Sequence, residues 1–170
     1  MDSILNETKA SESLADRAER VLTRFCERDL NLATAESCTG GLVAALLTDI
    51  EGCSHAFERG YVTYTDASKR ELLDVSLELL NEKGAVSKEV AIAMAEGALR
   101  LSGAQVAVSV TGFAGPGGED GEEGLVHFAL ARDGAAPVHA QQSLGPVGRD
   151  QVRQKSLETV LHLLKRMLSS

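Results

Sequence analysis

A chain of 170 residues, 44% hydrophobic and 25% charged, carries enough apolar surface for one folded core and reads as a single domain over residues 1–170. Its formal net charge of −8 argues against a general nucleic-acid binder, because a phosphate backbone needs a broadly basic face. A small anion held by two or three placed cations stays compatible with that charge.

No apolar run approaches the roughly 20 residues of a membrane span, and the opening MDSILNETKA lacks the apolar stretch of a secretory signal. Cys26, Cys38 and Cys53 show no C-x-x-C spacing, which points to reduced thiols and a cytoplasmic protein. Cys26 and Cys53 are expected in plain packing roles.

Residues 1–9 read as a flexible lead-in. Leu14, Ala18, Val21, Leu22 and Phe25 then share one helical face. Leu32 to Ala35 is a short strand, and Gly40-Gly41 opens a helix running to about Asp49. Tyr61 to Thr65, aromatic and β-branched, predicts a strand, with Asp66 capping a helix over Ala67 to Leu73. Ser87 caps the next helix, whose buried face is traced by Val90, Met94, Ala98 and Leu101. The apolar run Val106 to Val110 predicts a strand covered on both sides. Leu125 to Ala131 and Val138 to Leu144 follow as strands joined at Arg132-Asp133-Gly134, the second alternating and so nearer an edge. A last helix carries Val152, Ser156, Val160, Leu163, Leu164 and Met167 on one face. Alternating helices and strands without a linker or repeat predict an α/β layered domain.

Two glycine-rich junctions stand on this scaffold. Ser37-Cys38-Thr39-Gly40-Gly41 links a strand to a helix, and Thr111-Gly112-Phe113-Ala114-Gly115-Pro116-Gly117-Gly118 follows the buried strand. In open α/β sheets, ligands bind at the carboxyl ends of strands, where helix N-termini present unpaired N–H groups. Both junctions therefore suit an anion or an oxyanion, although glycines also serve plain tight turns. Neither is a Walker loop, and G-x-G-x-x-G is absent.

His55, His127, His139 and His162 are scattered and form no metal-binding spacing, so no metal is expected. A histidine-based triad stays open, with nothing at the Ser-Cys-Thr stretch to recommend it. Lys69 is another candidate base. A lysine can activate serine only when neutral, which needs desolvation or a neighbouring cation. Position alone favours reading Lys69 as a solvated surface residue.

Four stretches taken together resemble the CinA C-terminal domain family: Ala35 to Gly41, Phe57 to Tyr64, Gly84 to Ser87 and Thr111 to Pro116. The resemblance runs from about residue 10 to the end. It implies a central mixed β-sheet flanked by helices and, from the family's enzymatic members, deamidation of nicotinamide mononucleotide to nicotinic acid mononucleotide and ammonia. It maps Ser37 to the nucleophile and Lys69 to the base, and implies neither a metal nor an organic cofactor. Thr39 is expected to assist, by a hydrogen bond or a helix cap. Tyr64 either orients the pair or sits in the core.

Gly40, Gly41, Thr111, Gly112 and Gly115 are the expected substrate-facing loop residues. Arg149 falls where the family carries an arginine before the last helix. Arg153, one turn on, can face the same point, and the helix N-terminus adds partial positive charge for a phosphate. The chain departs from the family where Lys-Pro-Val-Gly-Thr is replaced by Glu122-Glu123-Gly124-Leu125-Val126, and where Val147 stands before Gly148-Arg149. At this length no room is expected for the N-terminal domain of the longer family form. A symmetric homo-oligomer is the expectation from base rates. Besides the amidohydrolase, a catalytically decayed phosphate- or nucleotide-binding module of the same shape and a partner-binding protein stay in play.

Overall fold

The computed structural model describes residues 12–116 and 121–170. The expected lead-in over residues 1–9 and the Gly117-Gly118 end of the second glycine loop lie outside the described residues.

The chain alternates as the hydrophobic pattern predicts. Helix α1 (Leu14–Glu27) starts at Ser13, whose hydroxyl accepts from the Asp16 N–H while the Asp16 carboxylate takes the Ser13 N–H. Strand β1 (Leu32–Glu36), helix α2 (Leu42–Thr48) and strand β2 (Phe57–Val62) follow. Next come α3 (Asp66–Leu73), α4 (Leu77–Lys83), α5 (Lys88–Ser102) and β3 (Val106–Gly112). The antiparallel strands β4 (Leu125–Arg132) and β5 (Val138–Ser143) lead into α6 (Arg149–Ser169).

The five strands lie in the order β2-β1-β3-β4-β5. β2, β1 and β3 run parallel, and β4 and β5 are antiparallel to their neighbours, so the sheet is mixed, with β5 at an edge as expected. Among the described residues, no helix is long and apolar enough to cross a membrane.

The two faces of the sheet are built differently. Val106, Val108 and Val110 join Val126, Phe128 and Leu130 against α1, α2 and α6. Cys26 and Cys53 pack against the same cluster, as expected. The intervening β3 and β4 residues, Ala107, Ala129 and Ala131, are small and face α5. Small side chains let α5 approach closely, and the Ser109 hydroxyl reaches the Ala91 carbonyl at 2.6 Å. Gly97 carries the closest approach of α5 to α3, since a Cβ there would overlap the Leu73 carbonyl oxygen. The apolar run of β3 therefore alternates large against small.

Some expectations need correction. The second strand is Phe57–Val62, not Tyr61 to Thr65. It is an edge strand, so its outward Glu58 and Arg59 broke the apolar pattern that would have revealed it. Thr65, not Asp66, caps α3: its hydroxyl accepts from the Ser68 N–H, and Ser68 reciprocates. Leu101 is exposed, and Met167 is only half-buried. In each helix the buried row advances by four, from Ala98 to Ser102 in α5 and from Leu164 to Leu168 in α6. The two-turn helix α4, capped by Ser76, is too short to show a period.

Candidate active site

The three parallel strands finish together at the same, carboxyl end of the sheet. Glu36 pairs with Val62 and with Val110, and the Ser37 N–H continues the ladder to the Val110 carbonyl. Thr63 extends β2 by donating its N–H to the Glu36 carbonyl. The two glycine junctions thus stand side by side, as their positions after neighbouring strands predicted.

Between them lies a cavity of about 250 Å³, whose walls include Ser37, Cys38, Tyr64, Lys69, Thr111 and Arg149. A larger cleft of about 580 Å³ between α1 and α6 lies apart from both glycine junctions.

Lys69 is 1% exposed although it stands on the first turns of α3. Its Nζ donates to the Thr63 carbonyl at 2.8 Å and meets Ser37 Oγ at 3.2 Å. Burial pulls its pKa below the ordinary lysine value, partly opposed by Asp66 at the start of the same helix. The solvated-surface alternative for Lys69 is therefore set aside. Only in its neutral form, with an N–H on the Thr63 carbonyl, can the amine take a proton from the Ser37 hydroxyl.

Cys38 is buried at the cavity wall, and desolvation pushes its thiol up to about 12, against the pull of Arg153 and Lys69. It stays a neutral thiol at ordinary pH.

The loop's backbone donors are distributed in a way the sequence did not reveal. Glu36, 1% exposed, points its carboxylate into the α2 N-terminus and accepts from the N–H groups of Gly41 (3.1 Å), Val43 (3.0 Å) and Ala44 (2.8 Å). The anion expected at this helix end is thus the protein's own carboxylate. An acidic residue immediately before Ser-Cys-Thr-Gly-Gly was the available signal. Gly40 donates to the Ser37 carbonyl, and Gly41, at φ 99° where a side chain would be strained, turns the chain into α2. No backbone carbonyl among the described residues accepts from the Cys38 or Thr39 N–H groups. Thr39 is fully buried, and its hydroxyl neither caps α2 nor finds a partner among the described residues.

Tyr64 is exposed at the cavity wall and not in the core. The Thr111 hydroxyl donates to the Ala85 carbonyl at 2.8 Å, tying β3 to the loop before α5. Gly112 and Gly115 line the cavity, and the Arg149 guanidinium lies so close to Gly115 that a Cβ there would sit 2.8 Å from its Nη2. Arg153 turns to the nucleophile-side loop, with its Nε donating to the Cys38 carbonyl at 2.9 Å. Neither arginine makes an ion pair among the described residues. His127 and His139 stack with ring centroids 5.3 Å apart and share a 3.0 Å contact between ring nitrogens, away from the cavity walls. No group of three His, Cys, Asp or Glu side chains able to hold a metal ion occurs among the described residues.

The CinA C-terminal domain profile matches residues 14–168. The chain is 47% identical over 152 residues to a CinA-like protein of Geotalea uraniireducens, covering 88% of this chain and 36% of that relative. It is 42% identical over 161 residues to a CinA-like protein of Syntrophotalea carbinolica, covering 94% of this chain. The chain thus spans well under half the length of these relatives, 36% and 38% respectively. The crystal structure of competence/damage inducible protein CihA from Agrobacterium tumefaciens superposes with a TM-score of 0.88 at 43% identity, covering 92% of this chain and 96% of that one. Sequence and fold agree over nearly the whole described chain, which belongs to the CinA C-terminal domain family.

Proposed function

We propose that the protein hydrolyses the carboxamide of nicotinamide mononucleotide, giving nicotinic acid mononucleotide and ammonia. The observation that carries this reading is the buried Lys69 Nζ, 3.2 Å from Ser37 Oγ and oriented by the Thr63 carbonyl. Lys69 in its neutral form, which burial favours, takes the hydroxyl proton as Ser37 Oγ bonds to the carboxamide carbon. The oxygen that becomes negative is met by the Cys38 and Thr39 N–H groups, whose freedom from protein acceptors supports that role. Lys69 returns the proton to the departing amine, the C–N bond breaks, and ammonia leaves an acyl-serine. Water, deprotonated by the same lysine, then adds to the acyl carbon, the bond to Ser37 Oγ breaks as the lysine returns the proton to that oxygen, and the carboxylate product leaves.

Arg149 at the cavity wall supplies positive potential for the 5′-phosphate in a chain of net charge −8. The test is ammonia release from nicotinamide mononucleotide by purified protein, with Ser37→Ala as the blank. Turnover in the wild type alone supports the reading. Tight binding without turnover would replace it by a nucleotide-binding module of the same shape.

A further inference from the structure

Arg149 and Arg153 stand one turn apart at the start of α6 yet do different things. Arg149 lies at the cavity wall, against Gly115. Arg153 is absent from those walls and spends its Nε–H on the Cys38 carbonyl at 2.9 Å. Its Nη2 also runs beside Gly40, where an added Cβ would lie 3.4 Å from it. We propose that Arg153 is a positioning residue, which locks the peptide between Cys38 and Thr39 and so holds the Ser37 loop in its reactive shape. The proposal rests on reading Ser37 as the nucleophile.

In a trans peptide the carbonyl and the following N–H point in opposite directions. Fixing the Cys38 oxygen on Arg153 therefore fixes the Thr39 N–H on the other side, where it has no acceptor among the described residues. Turning that peptide over changes ψ of Cys38 and φ of Thr39, and Gly40 and Gly41, both at positive φ, continue the loop without side chains to brace it. Glu36 restrains the α2 side of the loop through Gly41, Val43 and Ala44, but makes no bond to the 38–39 peptide. The side-chain restraint on that peptide is Arg153, half-buried and acting on a buried residue, where a charge-assisted bond is strong.

Three substitutions separate this role from substrate binding. Gln places its Nε2 at the chain position of Arg Nε, so Arg153→Gln keeps the donor and loses the charge. Arg153→Met has similar length and no donor. Arg153→Lys keeps the charge but moves the donor one atom further out. With nicotinamide mononucleotide, Arg153→Met and Arg153→Lys should lower kcat by about 10- to 100-fold, the scale of a small misplacement of reacting groups, with KM little changed. Arg153→Gln should recover most of kcat. Amide hydrogen exchange at Gly40, whose N–H bonds the Ser37 carbonyl, should accelerate in the Met and Lys variants but not in Arg153→Gln.

A KM increase shared by Arg153→Gln and Arg153→Met, with kcat preserved, would make Arg153 a substrate-charge contact and overturn the proposal. So would wild-type kcat in Arg153→Met. If the wild type shows no hydrolysis, the functional reading fails, and the exchange comparison alone still decides Arg153. Unchanged Gly40 exchange in Arg153→Met and Arg153→Lys would then overturn it.

Discussion

Lys69 Nζ and Ser37 Oγ meet at 3.2 Å although 32 positions separate the two residues in sequence, and the lysine is shut from solvent when they do. The amine has no carboxylate in salt-bridge contact among the described residues, so burial sets its protonation. With a pKa below the ordinary lysine value, the neutral, proton-accepting fraction grows as pH rises through that lowered pKa. Activity is therefore expected to climb with pH on a single-proton limb and level off above it. Lys69→Arg should be as inactive as Lys69→Met, because the guanidinium does not deprotonate. A pH–rate profile of kcat/KM for wild type and Lys69→Arg checks this, and an active arginine variant would remove lysine as the base.

The same burial has an opposite effect on stability. Below its folded pKa, Lys69 carries a charge in a dry site, and the full cost of that burial is felt. Between the folded pKa and the unfolded value of about 10.4, only the unfolded chain holds the proton, so the cost fades as pH rises. Lys69→Met should therefore be more stable than wild type near neutrality, with the difference shrinking toward alkaline pH. Each kcal/mol gained raises Tm by about 2–4 °C in a chain of this size, less what is lost by leaving the Thr63 carbonyl without its donor. Thermal melts of both proteins across pH give the answer. A variant less stable than wild type at neutral pH would show that the hydrogen bond to the Thr63 carbonyl outweighs the cost of burying the amine.

Ser37 and Cys38 are adjacent, yet their environments assign them different chemistry. The thiol, pushed up to about 12 by burial, holds almost no thiolate at neutral pH. Ser37→Ala should reduce turnover by about three orders of magnitude or more, while Cys38→Ala should keep most of it. Steady-state ammonia release from the two variants separates the candidates, and activity surviving in Ser37→Ala would transfer the role to Cys38.

How much of this was legible in the sequence differs from feature to feature. The parallel neighbours β1 and β3 were readable because their apolar runs end in glycine loops, and that placed Ser37 beside Gly112. Lys69 was not readable from position. Its burial depends on where α3 leaves β2, and the polar residues Glu58 and Arg59 of that edge strand concealed where it begins. Resemblance to a family supplied the expectation of a base there instead. Glu36 was missed because a carboxylate at a strand end looks like a surface residue until α2 folds back over it. Arg149 and Arg153 were expected to face one point, since helical spacing gives a shared face but not which acceptor each side chain finds.

Glu36 itself is testable. Its carboxylate satisfies three backbone donors at the α2 N-terminus with little exposure to solvent. Glu36→Gln replaces one acceptor oxygen by an N–H donor aimed at those same N–H groups. A loss of about 1.5–3 kcal/mol is expected, the worth of a hydrogen bond to a charged group, together with reduced kcat because α2 anchors the Ser37 loop. Urea unfolding with unchanged slope and a lowered midpoint is the expected result. A midpoint equal to wild type would mean that the carboxylate is dispensable to the loop.

The last prediction concerns selection for a phosphorylated substrate. The Arg149 guanidinium is exposed at the cavity wall and held close to Gly115, so its position depends on that glycine lacking a side chain. A methyl group at Gly115 would sit 2.8 Å from Nη2 and push the guanidinium away. A charge-assisted bond to phosphate is worth about 1.5–3 kcal/mol, or 10- to 150-fold in KM. Exposure of Arg149 places the expectation near the tenfold end, because solvent screens the charge. Arg149→Ala should raise KM for the mononucleotide about tenfold with a smaller change in kcat, and Gly115→Ala should follow it part of the way. Neither variant should alter turnover of the riboside, which has no phosphate to lose. Comparing KM for both substrates across wild type and the two variants isolates the phosphate contact from general damage to the cavity. If Arg149→Ala retains the wild-type preference for the mononucleotide, the phosphate is held elsewhere, with the Gly112 to Gly118 loop the next position to test.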